Sequence, residues 1–326
     1  MTMSQATRIL FVVSLAALML PDTVHAQGQR EGIGAPPAQA NPQPPANAAG
    51  PQAPRGGGIR GPVDPRVQRR TYLFKDTNEE LPYALFVSSK VGKNKKNPLI
   101  VALHGLGGDQ NTMVRESFRA VELAEQGGYI LVAPIGYNSG GWYGIPVGPP
   151  RGNRGPANGT NPATTPPRGN GPGRGFNSTA GGTAVTDPAK VRELSEKDVM
   201  NVLDMIRKEF NVDERRTYLM GHSMGGAGTL YLGVKYASNW AAIAAIAPAA
   251  FGLNPDTLAT IKDMPVIIVQ GDADTAVPVA NTRRWADKLK ELNMTHEYHE
   301  IPGGDHGSVI STGMPDIFAF FSKHTK

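Results

Sequence analysis

The sequence predicts an α/β fold: a mostly parallel, doubly wound sheet with an N-terminal antiparallel hairpin and helices on both faces. Three observations lead to it. Five short runs, "LIVALHG", "YILVAPIG", "TYLMGHS", "AAIAAIAPA" and "VIIVQGD", are almost unbroken in apolar character. Strands buried on both faces read this way, and such strands belong to parallel sheets. Segments with helical periodicity separate the runs, which is the alternation of a doubly wound sheet. Ahead of them, "RRTYLF" and "PYALFVSS" flank the turn-like "KDTNEE" and suit a hairpin.

The chain opens with an export signal pattern. Arg8 supplies a positive charge, Ile9 to Leu20 is apolar, and Val24-His25-Ala26 offers a small-residue cleavage site. An apolar run of about a dozen residues is too short to span a bilayer. Residues 1–26 are therefore read as a signal peptide. This implies a secreted or periplasmic bacterial protein with no stable membrane insertion after cleavage. Residues 27–68 are Pro, Gly, Ala, Gln and Asn with almost no large apolar side chain, and are expected to form a disordered linker. "GGGIRG", Gly56 to Gly61, matches G-x-G-x-x-G, but no strand precedes it and no helix follows, so it is set aside as a dinucleotide site.

The folded domain is expected over 69–326. Its clearest helix is "SEKDVMNVLDMIRKEF", where Val199, Leu203, Ile206 and Phe210 fall on one face. Ser195 and Asp198 are read as a capping box opening that helix. Weaker helical patterns occur at 110–126, 225–237, 279–292 and 312–323. "THEYHEI" is polar and alternating, as an edge strand would be. A low-complexity insertion at about 144–186 interrupts the alternation. At that length a connection without its own secondary structure is unusual in a compact domain.

Composition excludes several chemistries. Of the 326 residues 40% are hydrophobic, enough for a sizeable core, and none is cysteine. Disulfides, thiol catalysis and cysteine-ligated zinc are ruled out. The net charge is +5, yet residues 27–70 and 144–186 each carry +4, which leaves the remainder mildly acidic. A nucleic-acid partner is not expected on such a surface.

The sequence "YLMGHSMGGAG" raises the central question: why one serine stands among four glycines after a buried run. Gly221-His222-Ser223-Met224-Gly225 fits G-x-S-x-G. The pattern is short, and its context gives it weight. A buried strand precedes it, and a helix with Ala227, Leu230, Tyr231 and Val234 follows. That is the context of a nucleophile elbow, where a sharp strand-to-helix turn exposes the serine hydroxyl beside a helix N-terminus. A serine needs a base, and the base an orienting acid. Of the seven histidines, His306 in "PGGDHG" lies on a glycine-rich loop after the last strand and is assigned as base. His222 is expected to point away from the reacting face. "VIIVQGDADTAVP" ends a buried strand with Asp272 and Asp274. Asp274 is chosen as the acid, with Asp272 holding the loop. The oxyanion donors are expected to be the N–H groups of Met224, directly after the serine, and Leu106, in the glycine-rich "HGLGG". Trp142 and Tyr143 are candidates for a substrate-binding wall against an aromatic or sugar ring, with core cover for the root of the insertion as the alternative.

"HGLGG", "GHSMGG", "GDADTAVP" and "GGDHG", in this order, resemble the α/β-hydrolases from near Arg69 to the C-terminus. Within that superfamily the chain is similar to secreted serine esterases, the group of polyhydroxybutyrate depolymerases, feruloyl and acetylxylan esterases and dienelactone-hydrolase-like enzymes. The resemblance implies hydrolysis of a small-molecule or polymeric ester through an acyl-enzyme, with Ser223, His306 and Asp274 as the triad, no metal and no organic cofactor. Two rivals stay open. One is a prolyl-oligopeptidase-like peptidase, although no propeller domain precedes the fold. The other is a non-catalytic binding protein on a hydrolase scaffold. Acyl transfer to an alcohol or sugar is a further variant of the same chemistry.

Overall fold

The computed structural model describes residues 61–146 and 181–326. The signal segment, the linker up to Arg60 and the centre of the insertion, residues 147–180, lie outside the described residues.

Eight strands form one sheet: β1 (Gln68–Phe74), β2 (Glu79–Val87), β3 (Asn97–Leu103), β4 (Ile130–Pro134), β5 (Val212–His222), β6 (Ala242–Ile246), β7 (Val266–Gly271) and β8 (His296–Ile301). Their order is β1-β2-β4-β3-β5-β6-β7-β8. β1 pairs antiparallel with β2, running from Gln68 opposite Leu85 to Phe74 opposite Glu79. β2 pairs antiparallel with β4, and the remaining neighbours are parallel. The expected hairpin and buried runs are all present, and the polar run forms the edge strand β8.

The buried strands feed two cores because alternate side chains point to opposite faces. Leu99, Val101 and Leu103 of β3 join one core, with Leu203 and Ile206 of α2 (Pro188–Glu209), Leu230 of α3 (Met224–Lys235) and Trp285 of α4 (Val279–Glu291). Ile100 and Ala102 join the other, with Val121 of α1 (Ala120–Gly127) and Ile317, Phe318 and Phe321 of α5 (Ser308–Lys323). Helices therefore cover both faces. At about 25 cal/mol per Å² of apolar area removed from water, these two cores are the main stabilising term.

The structure corrects several local expectations. α2 begins at Pro188, capped by Asp187, whose carboxylate accepts from the Lys190 amide at 2.7 Å. An Asp cap followed by Pro is the stronger start signal, since Pro gives up an amide that has no helical acceptor there. Ser195 and Asp198 are therefore interior and buried, not a capping box. The 110–126 pattern is an α-helix only from Ala120 to Gly127, preceded by two 3₁₀ turns and the left-handed Arg119 (φ 61°). The fold also starts earlier than Arg69. Val63 bridges to Arg115, and Asp64 donates its amide to the Val114 carbonyl and pairs with Arg66 at 2.7 Å.

Candidate active site

β5 runs directly into α3 through Ser223, whose backbone sits at φ 56°, ψ −114°. For a non-glycine residue this conformation costs of order 1–3 kcal/mol and persists only where surrounding contacts hold it. Here they do. The Ser223 amide donates to the Ile246 carbonyl at 2.9 Å, and its carbonyl accepts from Ala227 and Ala249 at 3.0 Å each. The flanking glycines have a steric reason: a Cβ on Gly221 would run into the Gly225 carbonyl, and one on Gly225 into the Leu103 carbonyl. The turn answers the question raised by the sequence. Glycines allow three backbone segments to cross at a spacing no side chain permits, and the serine is held at the crossing.

Asp274, 5% exposed, follows the end of β7. One carboxylate oxygen accepts from His306 Nδ1 at 2.7 Å and from Gln270 Nε2 at 3.1 Å, and the other from the Ala276 and Val277 amides at 2.8 Å each. Burial alone would raise its pKa. The bond from His306 and the amides of Val277 and Ala276 outweigh burial and hold the carboxyl below its usual range. Asp272 instead accepts from the Gly303 amide at 2.6 Å and fastens the loop that carries His306. Asp305 accepts from the Gly307 and Ser308 amides at the start of α5.

His306 reaches the elbow through His222. The His222 ring is buried, its Nε2 lies 2.7 Å from the His306 carbonyl oxygen, and the two rings are 4.6 Å apart. Among the described residues no hydrogen bond joins Ser223 Oγ to His306 Nε2. Such bonds are often long in ligand-free hydrolases and tighten around substrate.

The loop His104–Gly108 lies against the elbow. A Cβ on Gly105 would meet Ser223 Cβ at 3.2 Å. Leu106 therefore follows a residue in contact with the serine, and Met224 opens α3, where an amide has no helical acceptor. Among the described residues neither amide has an acceptor. The Leu106 side chain is 63% exposed and forms an apolar ledge beside Gly140.

Trp142 is partly buried and packs on the core. Tyr143 cannot form a substrate wall. It is fully buried, and its hydroxyl donates to the His104 carbonyl at 3.1 Å, so it belongs to the core beneath the root of the insertion. Its amide donates to Ser195 Oγ at 3.0 Å. Asp198, one helical turn on, accepts from the Gly136 amide at 2.7 Å, the Tyr137 amide at 3.1 Å and the Tyr72 hydroxyl at 2.6 Å. The same segment accepts from the Gly107 amide through the Ser139 carbonyl at 2.8 Å. α2 thus braces the His104–Gly108 loop from behind. Sequence reasoning missed this brace, although two polar residues on the apolar side of a helix were a usable signal. Burial outweighs these hydrogen bonds and pushes the Asp198 pKa up to about 6.

Residues 184–325 match the phospholipase/carboxylesterase family. No curated protein matches the chain. A thermostable esterase of known structure is 25% identical (TM-score 0.55), over 80% of this chain and 64% of that one. The chain thus spans less than two thirds of that esterase's length. A ferulic acid esterase from the anaerobic fungus Anaeromyces mucronatus is similar at 20% identity and TM-score 0.57, over 83% of this chain and 93% of that one. An S-formylglutathione hydrolase from Agrobacterium tumefaciens is similar at 15% identity and TM-score 0.56, over 80% and 95%. The chain has the α/β-hydrolase fold.

Proposed function

We propose that the protein is a serine esterase that cleaves carboxylic esters through an acyl-enzyme, with Ser223 as nucleophile, His306 as base and Asp274 as the orienting acid. The observation that carries this reading is the hydrogen bond between His306 and the buried Asp274 at 2.7 Å, held against the strained serine turn by His222. Asp274 fixes the Nδ1–H tautomer of His306 and leaves Nε2 free to accept the serine proton. Ser223 Oγ attacks the ester carbonyl while His306 takes that proton. The Leu106 and Met224 amides receive the oxyanion, each worth about 3–4 kcal/mol in serine hydrolases. His306 then protonates the leaving alcohol, and water, deprotonated by His306, releases the acid. The exposed Leu106 ledge supports an apolar group on the substrate, such as those of polyesters and plant-polysaccharide esters. The N-terminal signal pattern supports secretion.

The test is hydrolysis of p-nitrophenyl esters from acetate to octanoate, plus a ferulate ester, by the protein and by Ser223→Ala. Turnover that falls by several orders of magnitude in the variant is expected. A folded protein inert on every ester, or a Ser223→Ala variant with full activity, overturns the reading and brings peptide substrates forward.

A further inference from the structure

His222 is the last residue of β5 and the immediate neighbour of Ser223. It is 2% exposed, too buried for a residue that merely fills the variable place before the serine. Its Nε2 faces the His306 carbonyl oxygen at 2.7 Å. A carbonyl can only accept, so Nε2 carries the hydrogen and Nδ1 the lone pair. Nδ1 is buried without a partner among the described residues. Gly105 makes the room, since a Cβ there would lie 3.2 Å from that nitrogen. Burial, reinforced by the neighbouring His306, pushes the ring's pKa down to about 3, so it stays neutral while His306 gains and loses its proton.

The other ties on the 303–308 loop run elsewhere. Gly303 is held by Asp272, and Gly304 accepts from the Ala273 amide at 3.1 Å, both on the segment after β7. Asp305 bonds residues that follow it, Gly307, Ser308 and Val309. These contacts register the histidine loop to the acid. The His222–His306 bond registers it to the serine's own strand. We infer that His222 is a positioning residue that sets the distance between His306 and Ser223 by holding the His306 backbone carbonyl through Nε2–H. This rests on the serine-esterase reading above.

The test compares His222→Gln, His222→Asn and His222→Phe in the full chain on p-nitrophenyl acetate, with Ser223→Ala as control. Glutamine places an amide Nε2–H three bonds from Cβ, as histidine does. Asparagine's donor falls one bond short, and phenylalanine keeps the ring without a donor. A misplacement approaching 1 Å costs up to about 100-fold in rate. Asn and Phe are therefore expected to lower kcat by about 10- to 100-fold with KM within about twofold. Their inactivation by an active-site-directed phosphonate should slow in parallel. Gln is expected to recover kcat to within about threefold of the parent, on the same reasoning. A Phe or Asn variant with parental kcat and melting temperature overturns the inference, as does a loss in Gln equal to that in Asn, or a loss confined to KM. If Phe does not fold, Gln against Asn decides. Full activity in Ser223→Ala overturns the serine reading instead, so the two failures are distinguishable.

Discussion

Replacing Asp198 with alanine probes the brace behind the His104–Gly108 loop. The carboxylate is fully buried and accepts two backbone amides and one phenol. Removing it leaves two buried amides and a partly buried phenol unpaired, each costing roughly 1–2 kcal/mol, about 3–6 in all. Against this, alanine relieves the cost of burying a charge. A carboxyl raised from 3.8 to about 6 favours its protonated form in the fold, so its share of stability is greatest below about pH 4 and declines as pH rises through 6. That cost is about 1.5 kcal/mol at pH 5 and about 3 at pH 8. Protonation need not break the site: the two amides share Oδ2, and Oδ1–H can donate to the Tyr72 oxygen. The net loss on Asp198→Ala is then roughly 2–4 kcal/mol at pH 5 and smaller by about 1.5 kcal/mol at pH 8. Urea unfolding followed by tryptophan fluorescence at the two pH values measures both terms. A loss below about 1 kcal/mol at pH 5 refutes the brace. A loss that does not shrink between pH 5 and pH 8 refutes the raised pKa.

Two further outcomes follow from the same geometry. Asp274→Asn keeps the acceptor for Ala276 and Val277 but turns a donor toward His306 Nδ1, favouring the wrong tautomer. We expect kcat on p-nitrophenyl acetate to fall by about 10⁴-fold, with some loss of melting temperature because the new donor also faces Gln270 Nε2; a loss under tenfold would remove Asp274 from the proposed triad. Glu79 accepts from the Thr183 and Ala184 amides and the Tyr137 hydroxyl. These bonds overcome burial and draw its pKa down to about 2. Its stabilisation is thus present above about pH 4.5 and lost as pH falls toward 2. Glu79→Gln should lower the melting temperature more at pH 7 than at pH 3, and equal shifts at both would count against the clamp.

Much of the frame was legible because its signals are local. A strand buried on both faces leaves an unbroken apolar run, so β3 to β7 stand out, and the elbow shows as glycines forced by backbone crossing. The end of β7 marked both Asp272 and Asp274 as candidates for the acid, and in the structure it is Asp274 that bonds His306. The misses are residues whose partners lie far along the chain. Asp198 bonds a tyrosine 126 positions away, and His222 a carbonyl 84 positions away. No periodicity records such pairings. Ser195 and Asp198 matched a capping pattern, and tertiary contacts use them otherwise. Tyr143 stood at a strand end beside the site, and only packing shows that it turns inward.

The backbone at Ser223 has a consequence for how this protein can be improved. Its φ of 56° suits glycine better than any other residue, so the fold gives up stability to keep a hydroxyl there. Alanine at 223 inherits the same strain and is the matched control for the proposed nucleophile. Glycine would relax the strain while also removing the hydroxyl. Selection for heat resistance alone therefore runs against this position, and a search for hardier variants must score turnover alongside melting, or it will reward the loss of the proposed nucleophile.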